Sequence, residues 1–342
     1  MSRERWLLLS GGARPTEDIY FLESAAPVMR SEGHDVGRLD VRGWRWRLAR
    51  WILSRQPGAN LVLCRTLPDR VLHWLERHRE IFGHIVYLID DDIPAASEDS
   101  RLPVAYRRRM ARVAAMQPRL LALANVVVTS SDCLAARFTG DHADVRVLTP
   151  PLIAPLPDFA HFDGPDCRVG FHGTRAHLED LQHIAPALKR LHDTSSRVSL
   201  EIMLGCHTPA ELQGLERLSS PSAMSWKGFR DYQQRHRIHI GLAPLLDTDF
   251  NRGKSFIKFL DISAMGGVGV YSRRPPYTDI VEHGVTGLLV DDTPQAWYDA
   301  LEYLVDQPKV ARRMAENAAR VARERGDTGH TAVFWQHLGS VV

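Results

Sequence analysis

A short basic stretch in the second half of the chain carries the clearest chemical signal. It reads FNRGKSFIKFLD, from Phe250 to Asp261, and places Arg252, Lys254 and Ser255 just before an apolar helical pattern. The first turn of a helix has free backbone N–H groups and a partial positive charge, so it attracts anions. We therefore predict a helix that starts near Lys254 and is capped by Ser255. Arg252 and Lys254 would add full charges for a diphosphate.

An acid follows this stretch about two helical turns later. Asp261 would lie partly on the same side of the helix, where its carboxylate could accept hydrogen bonds from ribose hydroxyls. An amphipathic helix with solvated lysines is the competing interpretation. The segment GGVGVY follows and leads back into a sheet, which favours the ligand-binding interpretation.

Three consecutive acids, Asp90–Asp92 in LIDDDIP, end an apolar run in the first half. Neighbouring carboxylates repel one another unless something binds them. We expect them at the carboxyl edge of a sheet, facing a cleft, where Asp91 could orient or deprotonate an acceptor hydroxyl. Clustered carboxylates also suit a divalent metal. A solvated loop with an Asp helix cap is the alternative.

Two loops are further candidates for ligand contact. Gly11 and Gly12 follow the first apolar run and either allow close backbone approach to a ligand or form a tight turn only. The fingerprints G-x-G-x-x-G and G-x-x-x-x-G-K-[ST] are both missing, which argues against hydride transfer on NAD. His172 and His177 flank Gly173-Thr174, and either could contact a donor phosphate or sugar, although a lone histidine is more often structural.

The composition is that of an ordinary globular protein with two domains. The chain has 342 residues, 44% hydrophobic and 25% charged, with a formal net charge of +2. This charge provides no global field to recruit nucleic acid. Four scattered cysteines predict reduced thiols and a cytoplasmic location, not a zinc site or a disulfide framework. No apolar run is long enough for a signal-peptide core or a membrane span.

Strands alternate with helical patterns in both halves, which predicts parallel sheets covered on both faces. Continuous helices are expected for TEDIYFLESAAPVMRSEG and for CHTPAELQGLERL, the latter with a threonine cap. A proline-rich stretch without hydrophobic periodicity, Thr149 to Pro165, separates the two halves of the chain. The predicted fold class is α/β, with two Rossmann-like domains (1–155 and 166–325) facing across a cleft and a C-terminal helix (326–342) returning to the first domain.

A second stretch, RGWRWRLARWILSRQ, mixes tryptophan with arginine from Arg42 to Gln56. Tryptophan prefers the membrane interface and arginine attracts anionic lipid. Peripheral contact with the inner face of the cytoplasmic membrane is therefore one interpretation. A core-packing helix whose arginine stems cover apolar surface is the other. The same residue types can bind nucleic acid, but no RNA-binding motif accompanies them, and we predict no nucleic-acid partner.

About the last hundred residues resemble a known family. The run NRGKSFIKFLDISAMGGVGVYSRRPPYTDIVEHGVTGLLVDDTPQAWYDAL is similar to the donor-binding part of bacterial retaining glycosyltransferases with the GT-B fold. This is the family 4 (group 1) type, which includes many LPS, capsule and O-antigen enzymes. LDISAMGGVGVYS and DIVEHGVTGLLV occupy the places of its LE-aa-x-G-P-V-V-x-S and E-I-V-x-x-G-x-T-G-L-L-V patterns. VGFHGTRAHLEDLQHIAPAL and SGGAR…SEGHDV resemble the openings of its two domains more loosely.

The resemblance implies roles for individual residues. Asp261 takes the place of the acid that holds the donor ribose. Lys254 and Ser255 fall in the turn that meets the donor phosphates, and Gly173-Thr174 in the loop that approaches them. Asp279 matches the acid that opens the E-I-V pattern.

The chain also departs from the family. A second acid stands eight positions before the ribose acid in the family, where this chain has Gly253, and Asp261 replaces the family's Glu. The Arg and Lys usually found after the first strand of the second domain are absent, and Arg252, Lys254 or Arg175 would substitute. The first-domain histidine near the donor sugar is replaced by VYLIDDDIP. These departures bear on the donor sugar and on catalysis.

By this resemblance the chain is a glycosyltransferase, a hexosyltransferase of polysaccharide biosynthesis. It would move a sugar, with retention, from a nucleotide-diphosphate sugar to a hydroxyl of a glycan, lipid-linked or other acceptor. No metal or other cofactor is expected, because helix dipole and basic residues would neutralise the departing diphosphate. A GT-B-fold epimerase or hydrolase, or a non-catalytic sugar-nucleotide-binding protein, are the alternatives. The catalytic candidates are Asp91 and His172, and the donor-binding candidates are Gly11, Gly12, Gly173, Thr174, Arg252, Lys254, Ser255, Asp261 and Asp279.

Overall fold

Two α/β units make up the chain in the computed structural model, which describes residues 3–12 and 14–339. Unit 1 comprises Met1–Ile153, Arg252–Ser255 and Asp327–Val342, and unit 2 comprises Ala154–Asn251 and Phe256–Gly326. Each unit has a six-stranded, all-parallel sheet with flanking helices. The predicted fold class, two Rossmann-like α/β domains, is confirmed. The tetrapeptide Arg252–Ser255, which the sequence analysis placed in the second domain, lies with unit 1.

The sheet of unit 1 is built from the apolar runs of the first half. Its strands are β1 (Arg5–Ser10), β2 (Asp35–Asp40), β3 (Asn60–Cys64), β4 (Ile85–Ile89), β5 (Val126–Thr129) and β6 (Val145–Val147). They are ordered β2-β1-β3-β4-β5-β6. Every residue of the central strands β3, β4 and β5 is buried, as expected for a parallel sheet covered on both faces.

Nine α-helices accompany this sheet in the described part of unit 1. They are α1 (Arg14–Glu17), α2 (Ala25–Ser31), α3 (Arg45–Leu53), α4 (Asp69–Arg77), α5 (Ile93–Glu98), α6 (Val104–Ala114), α7 (Gln117–Leu123), α8 (Asp132–Phe138) and α15 (Thr328–Gly339). Helix α15 packs against α2, so the predicted return of the C-terminal helix to the first domain is confirmed.

Unit 2 repeats the architecture. Its strands are β7 (Cys167–Phe171), β8 (Val198–Ile202), β9 (Leu218–Ser219), β10 (Ile240–Ala243), β11 (Val268–Ser272) and β12 (Gly287–Val290), ordered β12-β11-β10-β7-β8-β9. Its helices are α9 (Leu178–Thr194), α10 (Trp226–Arg235), α12 (Ile257–Ala264), α13 (Pro294–Asp306) and α14 (Pro308–Arg325), while α11 (Asp249–Arg252) ends in the tetrapeptide of unit 1.

Two predicted continuous helices are wrong. The segment TEDIYFLESAAPVMRSEG is divided into α1, a π-helical turn (Asp18–Leu22) and α2, because Glu17 and Asp18 turn inward to bind Arg38. The segment CHTPAELQGLERL forms only two 3-10 turns and the short strand β9. Pro209 separates those turns, and Gly214 has a φ of +82° that a helix does not allow.

His161, near the start of unit 2, and His239, just before β10, lie next to each other and predict acid sensitivity. His161 Nε2 donates to the Ile238 carbonyl (3.0 Å), and its Nδ1 is buried without a partner among the residues that the structure describes. The ring centroid of His239 lies 4.9 Å from that of His161. Burial, then His239, lowers the pKa of His161 to about 4. The unfolded chain therefore takes up a proton at higher pH than the folded chain, so stability is full above pH ~6.5 and is lost as the pH falls toward 4.

We expect the free energy of unfolding to be about 1–2 kcal/mol lower at pH 5 than at pH 7 through His161, allowing for partial exposure of the ring. Urea titrations at both pH values measure this difference. His161→Phe should flatten the pH dependence, whereas His73→Gln, at an exposed position, should leave it unchanged. An equal slope in wild type and His161→Phe would contradict the assignment.

No helix within the described ranges is long and apolar enough to cross a lipid bilayer.

Candidate functional site

The acids predicted at the end of β4 lie in a charged network inside unit 1. Asp90 accepts hydrogen bonds from Arg65 Nε (2.5 Å) and Thr16 Oγ1 (2.8 Å). Asp91 accepts from Arg65 Nη2 (2.8 Å) and from Lys254 Nζ (2.6 Å). Their mutual repulsion is therefore offset by protein cations. A carboxylate held by two cations is a weak base, so this arrangement suits Asp91 for holding Lys254 better than for taking a proton.

Asp92 has a different role from its two neighbours. Its Oδ1 accepts a hydrogen bond from the backbone N–H of Ala95 (3.0 Å) and so caps α5. Arg137 Nε lies 3.2 Å from its other oxygen. The helix-cap interpretation is therefore confirmed for this residue.

The segment around Lys254 does not form the predicted helix start. The helix begins at Ile257, and within the described part of the chain no side chain caps it. Ser255 instead lies 3.3 Å from the hydroxyl of Tyr20, so the prediction that Ser255 caps the helix is wrong. Burial of both residues explains the pairing, because each hydroxyl needs a partner away from water.

Gly253 occupies the position at which the resembling family has an acid, and the space around it is small. A Cβ added there would lie 3.2 Å from the Cβ of Asp92. Its carbonyl accepts a hydrogen bond from Ser131 Oγ (3.1 Å). Any side chain at 253 would press on the cap of α5, so the acid cannot be restored without local movement.

The Gly11-Gly12 turn at the end of β1 is constrained. A Cβ at Gly11 would lie 2.3 Å from the carbonyl oxygen of Thr66, and Gly12 has a φ of +115°. Behind the turn, the fully buried Glu17 accepts from Ser10 Oγ (2.9 and 2.8 Å). The tight-turn interpretation is confirmed, and ligand contact by these glycines stays a prediction.

In unit 2, Asp261 is the centre of a polar cluster. Its Oδ1 accepts from Gln233 Nε2 (3.1 Å) and its Oδ2 from Lys258 Nζ (3.3 Å). Lys258 Nζ also donates to the backbone carbonyl of His172. The carboxylate thus has a fixed orientation, yet its two oxygens offer about four acceptor positions, so it can still receive ribose hydroxyls.

His172 joins this cluster through a buried contact with Glu201. Its Nε2 lies 2.7 Å from Glu201 Oε1, and the two side chains are 4% and 6% exposed. Tyr232, on α10, is also hydrogen-bonded to Glu201. Burial by itself would raise the pKa of Glu201, but the hydrogen bond and charge of His172 and the hydroxyl of Tyr232 hold it below its usual value. Burial, with the neighbouring Glu201, raises the pKa of Tyr232.

The Gly173-Thr174 loop continues into a second fixed histidine. His177 Nδ1 lies 2.8 Å from Asp180 Oδ2, and Asp180 Oδ1 accepts from the backbone N–H of Leu246 (2.9 Å) and from Asn251 Nδ2 (3.0 Å). His177 therefore connects this loop to the chain that follows β10, a structural role. Contact of Gly173-Thr174 with phosphate stays a prediction.

The remaining candidates are on the surface. Asp279 is exposed at the end of the 3-10 turn Tyr277–Asp279, and Arg252 and Arg175 are exposed as well. Nothing in the structure tests their predicted contact with a donor.

Four side chains of the unit 2 cluster were missed from the sequence: Glu201, Tyr232, Gln233 and Lys258. Only Lys258 carried a signal, because it stands three residues before Asp261 and so shares its helix face. Within the described ranges, no three His, Cys, Asp or Glu side chains are grouped as metal ligands would be.

No protein-family model matches the sequence, and no curated protein matches it. The fold, however, is shared with solved structures. Sucrose-phosphate synthase from Thermosynechococcus elongatus superposes with a TM-score of 0.71 at 13% identity, covering 98% of both chains. HepE from Anabaena, in complex with UDP and glucose, gives 0.67 at 14% identity over 99% of this chain and 100% of its own. A glycosyltransferase from Rickettsia africae gives 0.66 at 10% identity, with both chains covered completely.

These similarities show that the chain has the GT-B fold of its glycosyltransferase neighbours. At 10%, 13% and 14% identity they show the fold alone, so the roles of individual residues depend on this chain's own chemistry.

Proposed function

We propose that the protein is a glycosyltransferase that transfers a hexosyl group from a nucleotide-diphosphate sugar to a hydroxyl of a glycan or lipid-linked acceptor. The observation that carries the proposal is the cluster at Asp261, a carboxylate oriented by Gln233 and Lys258 beside the end of β7. In open parallel sheets, ligands bind beyond the carboxyl ends of the strands. The neighbour HepE holds UDP and glucose, and UDP-glucose in another structure.

The proposed reaction follows from these groups. The bond between the anomeric carbon and the diphosphate oxygen breaks, and negative charge develops on the diphosphate. Lys258, within the unit 2 cluster, would stabilise that charge. Phosphate contact by Lys254 and Arg252 stays a prediction. The acceptor hydroxyl would pass its proton to the departing diphosphate as the new glycosidic bond forms, and transfer with retention belongs to the proposal by resemblance.

The first experiment is a thermal-shift panel with UDP, GDP, ADP, CMP and the corresponding sugars. We expect one nucleotide to raise the melting temperature. Asp261→Asn should lower its affinity on the order of tenfold or more, because hydrogen bonds to a charged group are lost. Asp193→Asn is the matched control, an exposed acid on α9. No response to any nucleotide would overturn the proposal.

Turnover assays with the selected sugar nucleotide separate the alternatives. Consumption of the donor only when a glycan or lipid acceptor is present supports a transferase. Conversion of the donor alone would indicate an epimerase or hydrolase, and binding without turnover would indicate a sugar-nucleotide-binding protein.

Helix α3 supports the further proposal that the acceptor is met at an anionic membrane surface. Trp44, Leu48 and Trp51 are 74%, 56% and 54% exposed, and their spacing places them on one helix face. Trp46 packs inward against Trp74, with ring centroids 5.6 Å apart. The core-packing interpretation therefore accounts for one face of α3 only.

The outward face of α3 combines tryptophan with cations. Arg45 lies over the ring of Trp44 and Arg55 over that of Trp51, at 5.7 and 4.2 Å from the ring centroids. Arg47 and Arg50 are also exposed. This combination favours the headgroup region of a bilayer that contains anionic lipid.

Sedimentation with vesicles measures the membrane contact. We expect binding to vesicles that contain phosphatidylglycerol, weaker binding to phosphatidylcholine alone, and weakening by salt. Trp44→Ala combined with Trp51→Ala should reduce partitioning about tenfold, because two apolar side chains no longer enter the interface. Tyr303→Ala, at a residue of unit 2 that is 46% exposed, is the control. Equal partitioning of both variants would contradict the assignment.

A further inference from the structure

The pair formed by His172 and Glu201 has a fixed protonation pattern. A carboxylate accepts hydrogen bonds only, so the 2.7 Å contact requires the proton on Nε2 of the imidazole. Tyr232 binds the same carboxylate, and the carbonyl of His172 accepts from Lys258. His172 is therefore held at both its side chain and its backbone, which defines the orientation of the ring.

The other ring nitrogen of His172 is available. Among the described residues, no hydrogen bond reaches Nδ1, and Nδ1 is not one of the buried side-chain atoms that lack a partner. It therefore retains access to solvent or to a ligand. The neutral ring would present a lone pair there, whereas the imidazolium would present an N–H donor.

We propose that His172, as an imidazolium held by Glu201, donates a hydrogen bond from Nδ1 to a phosphate oxygen of the bound nucleotide-diphosphate sugar. Glu201 is then a positioning residue that acts through His172, and Tyr232 holds Glu201. The inference rests on the proposed function and assigns the phosphate contact within it. When the donor bond breaks, its electron pair goes to the diphosphate oxygen, and His172 keeps its proton throughout.

The charges around the pair are consistent with such a contact. Lys258 joins His172 to Asp261, so the histidine and the predicted ribose ligand belong to one connected cluster. A charged His172 together with Lys258 would supply two cations within this cluster. Phe229 and Tyr232 approach the imidazole ring at 6.3 and 6.1 Å.

The expected signature is a pH-dependent affinity. The titratable and charged groups in contact with His172 are Glu201 on β8, Tyr232 on α10 and Lys258 on α12. Next to these partners lie Asp261, Arg168 on β7, and His236 just after α10. Loss of the Nδ1 proton would turn the proposed donor into an acceptor. The affinity should therefore fall as the pH rises and His172 loses its proton.

Isothermal titration calorimetry with UDP-glucose between pH 5.5 and pH 8.5 tests the proposal. If the thermal-shift panel selects a nucleotide other than UDP, the sugar conjugate of that nucleotide replaces UDP-glucose. The diphosphate of a sugar nucleotide carries no proton in this pH range. A change of affinity with pH therefore reports a protonation change on the protein. We expect the affinity to weaken on the order of tenfold toward high pH, because one charge-assisted hydrogen bond to the phosphate is lost. Uridine, which lacks phosphate, should show a flat profile.

Three variants separate positioning from structure. His172→Asn keeps a neutral polar group near the Nδ1 position and should remove the pH dependence. Glu201→Gln keeps the size of the side chain but not its charge, and should move the loss of affinity to lower pH. Tyr232→Phe removes only the hydroxyl and should cause a smaller change than Glu201→Gln. Thermal melts establish that each variant is folded.

The outcomes distinguish this proposal from the proposed function. Binding of UDP-glucose by the wild type with a flat pH profile overturns the role of His172 and leaves the nucleotide site intact. The same holds if His172→Asn titrates like the wild type. Absence of binding by every nucleotide sugar at every pH overturns both proposals.

Discussion

Replacement of Asp91 by alanine should lower the free energy of unfolding by about 3 kcal/mol or more. Lys254 Nζ and Arg65 Nη2 lie 2.6 and 2.8 Å from its two carboxylate oxygens. The side chains of Lys254 and Asp91 are only 16% and 11% exposed. Removal of the carboxylate takes a close partner from the ammonium group and from the guanidinium group in a poorly solvated place, and the loss of those two contacts is the source of the destabilisation.

A double-mutant cycle isolates the pair. Lys254→Met should cost less than Asp91→Ala, because Asp91 keeps Arg65 as a partner. In the double variant the two losses should not add, with a coupling of about 1–3 kcal/mol measured by urea denaturation. Asp35→Ala is the control, since its ion pair with Arg5 has the same 2.6 Å distance but is about half exposed. There the cost should stay within about 1 kcal/mol. Additive losses in the cycle would show that the pair contributes nothing.

Replacement of Trp335 by alanine should cost about 3–5 kcal/mol of stability in unit 1. Trp335 is fully buried, its ring lies 4.6 Å from Phe21 and 5.8 Å from Trp6, and its indole N–H donates to the Tyr20 carbonyl (2.8 Å). Truncation would leave a cavity where α15 meets the start of the first unit, together with a carbonyl that has lost its donor.

Trp335→Phe should lose less, because a ring still fills most of the space although the indole hydrogen bond is gone. Val333→Ala on the same helix is the matched control, since Val333 is 48% exposed and its truncation should change stability by less than about 0.5 kcal/mol. Chemical denaturation followed by tryptophan fluorescence and by circular dichroism gives the values. Equal stability of Trp335→Ala and Val333→Ala would mean that α15 does not hold unit 1 together.

The strands could be predicted closely, and the reason is physical. RWLLLS and CRVGF, for example, are short apolar runs that end at glycine or polar turns, and they form β1 and β7 as expected. A buried parallel strand satisfies its backbone through neighbours and needs only apolar side chains on both faces, so the local sequence carries the information. Helices were predicted less well where polar residues turn inward, as Glu17 and Asp18 do.

The sequence by itself determined that the chain alternates strands with helices in two halves, that Asp90–Asp92 need partners, and that Asp261 follows a basic turn. Tertiary structure alone decided which partners those residues have. Lys254 binds Asp91, 163 positions away in the chain, and His172 binds Glu201, 29 positions away. Composition and period describe how one segment buries its own apolar side chains. The partner of a buried charge depends instead on which distant segments the fold brings together. No local sequence pattern contains that information.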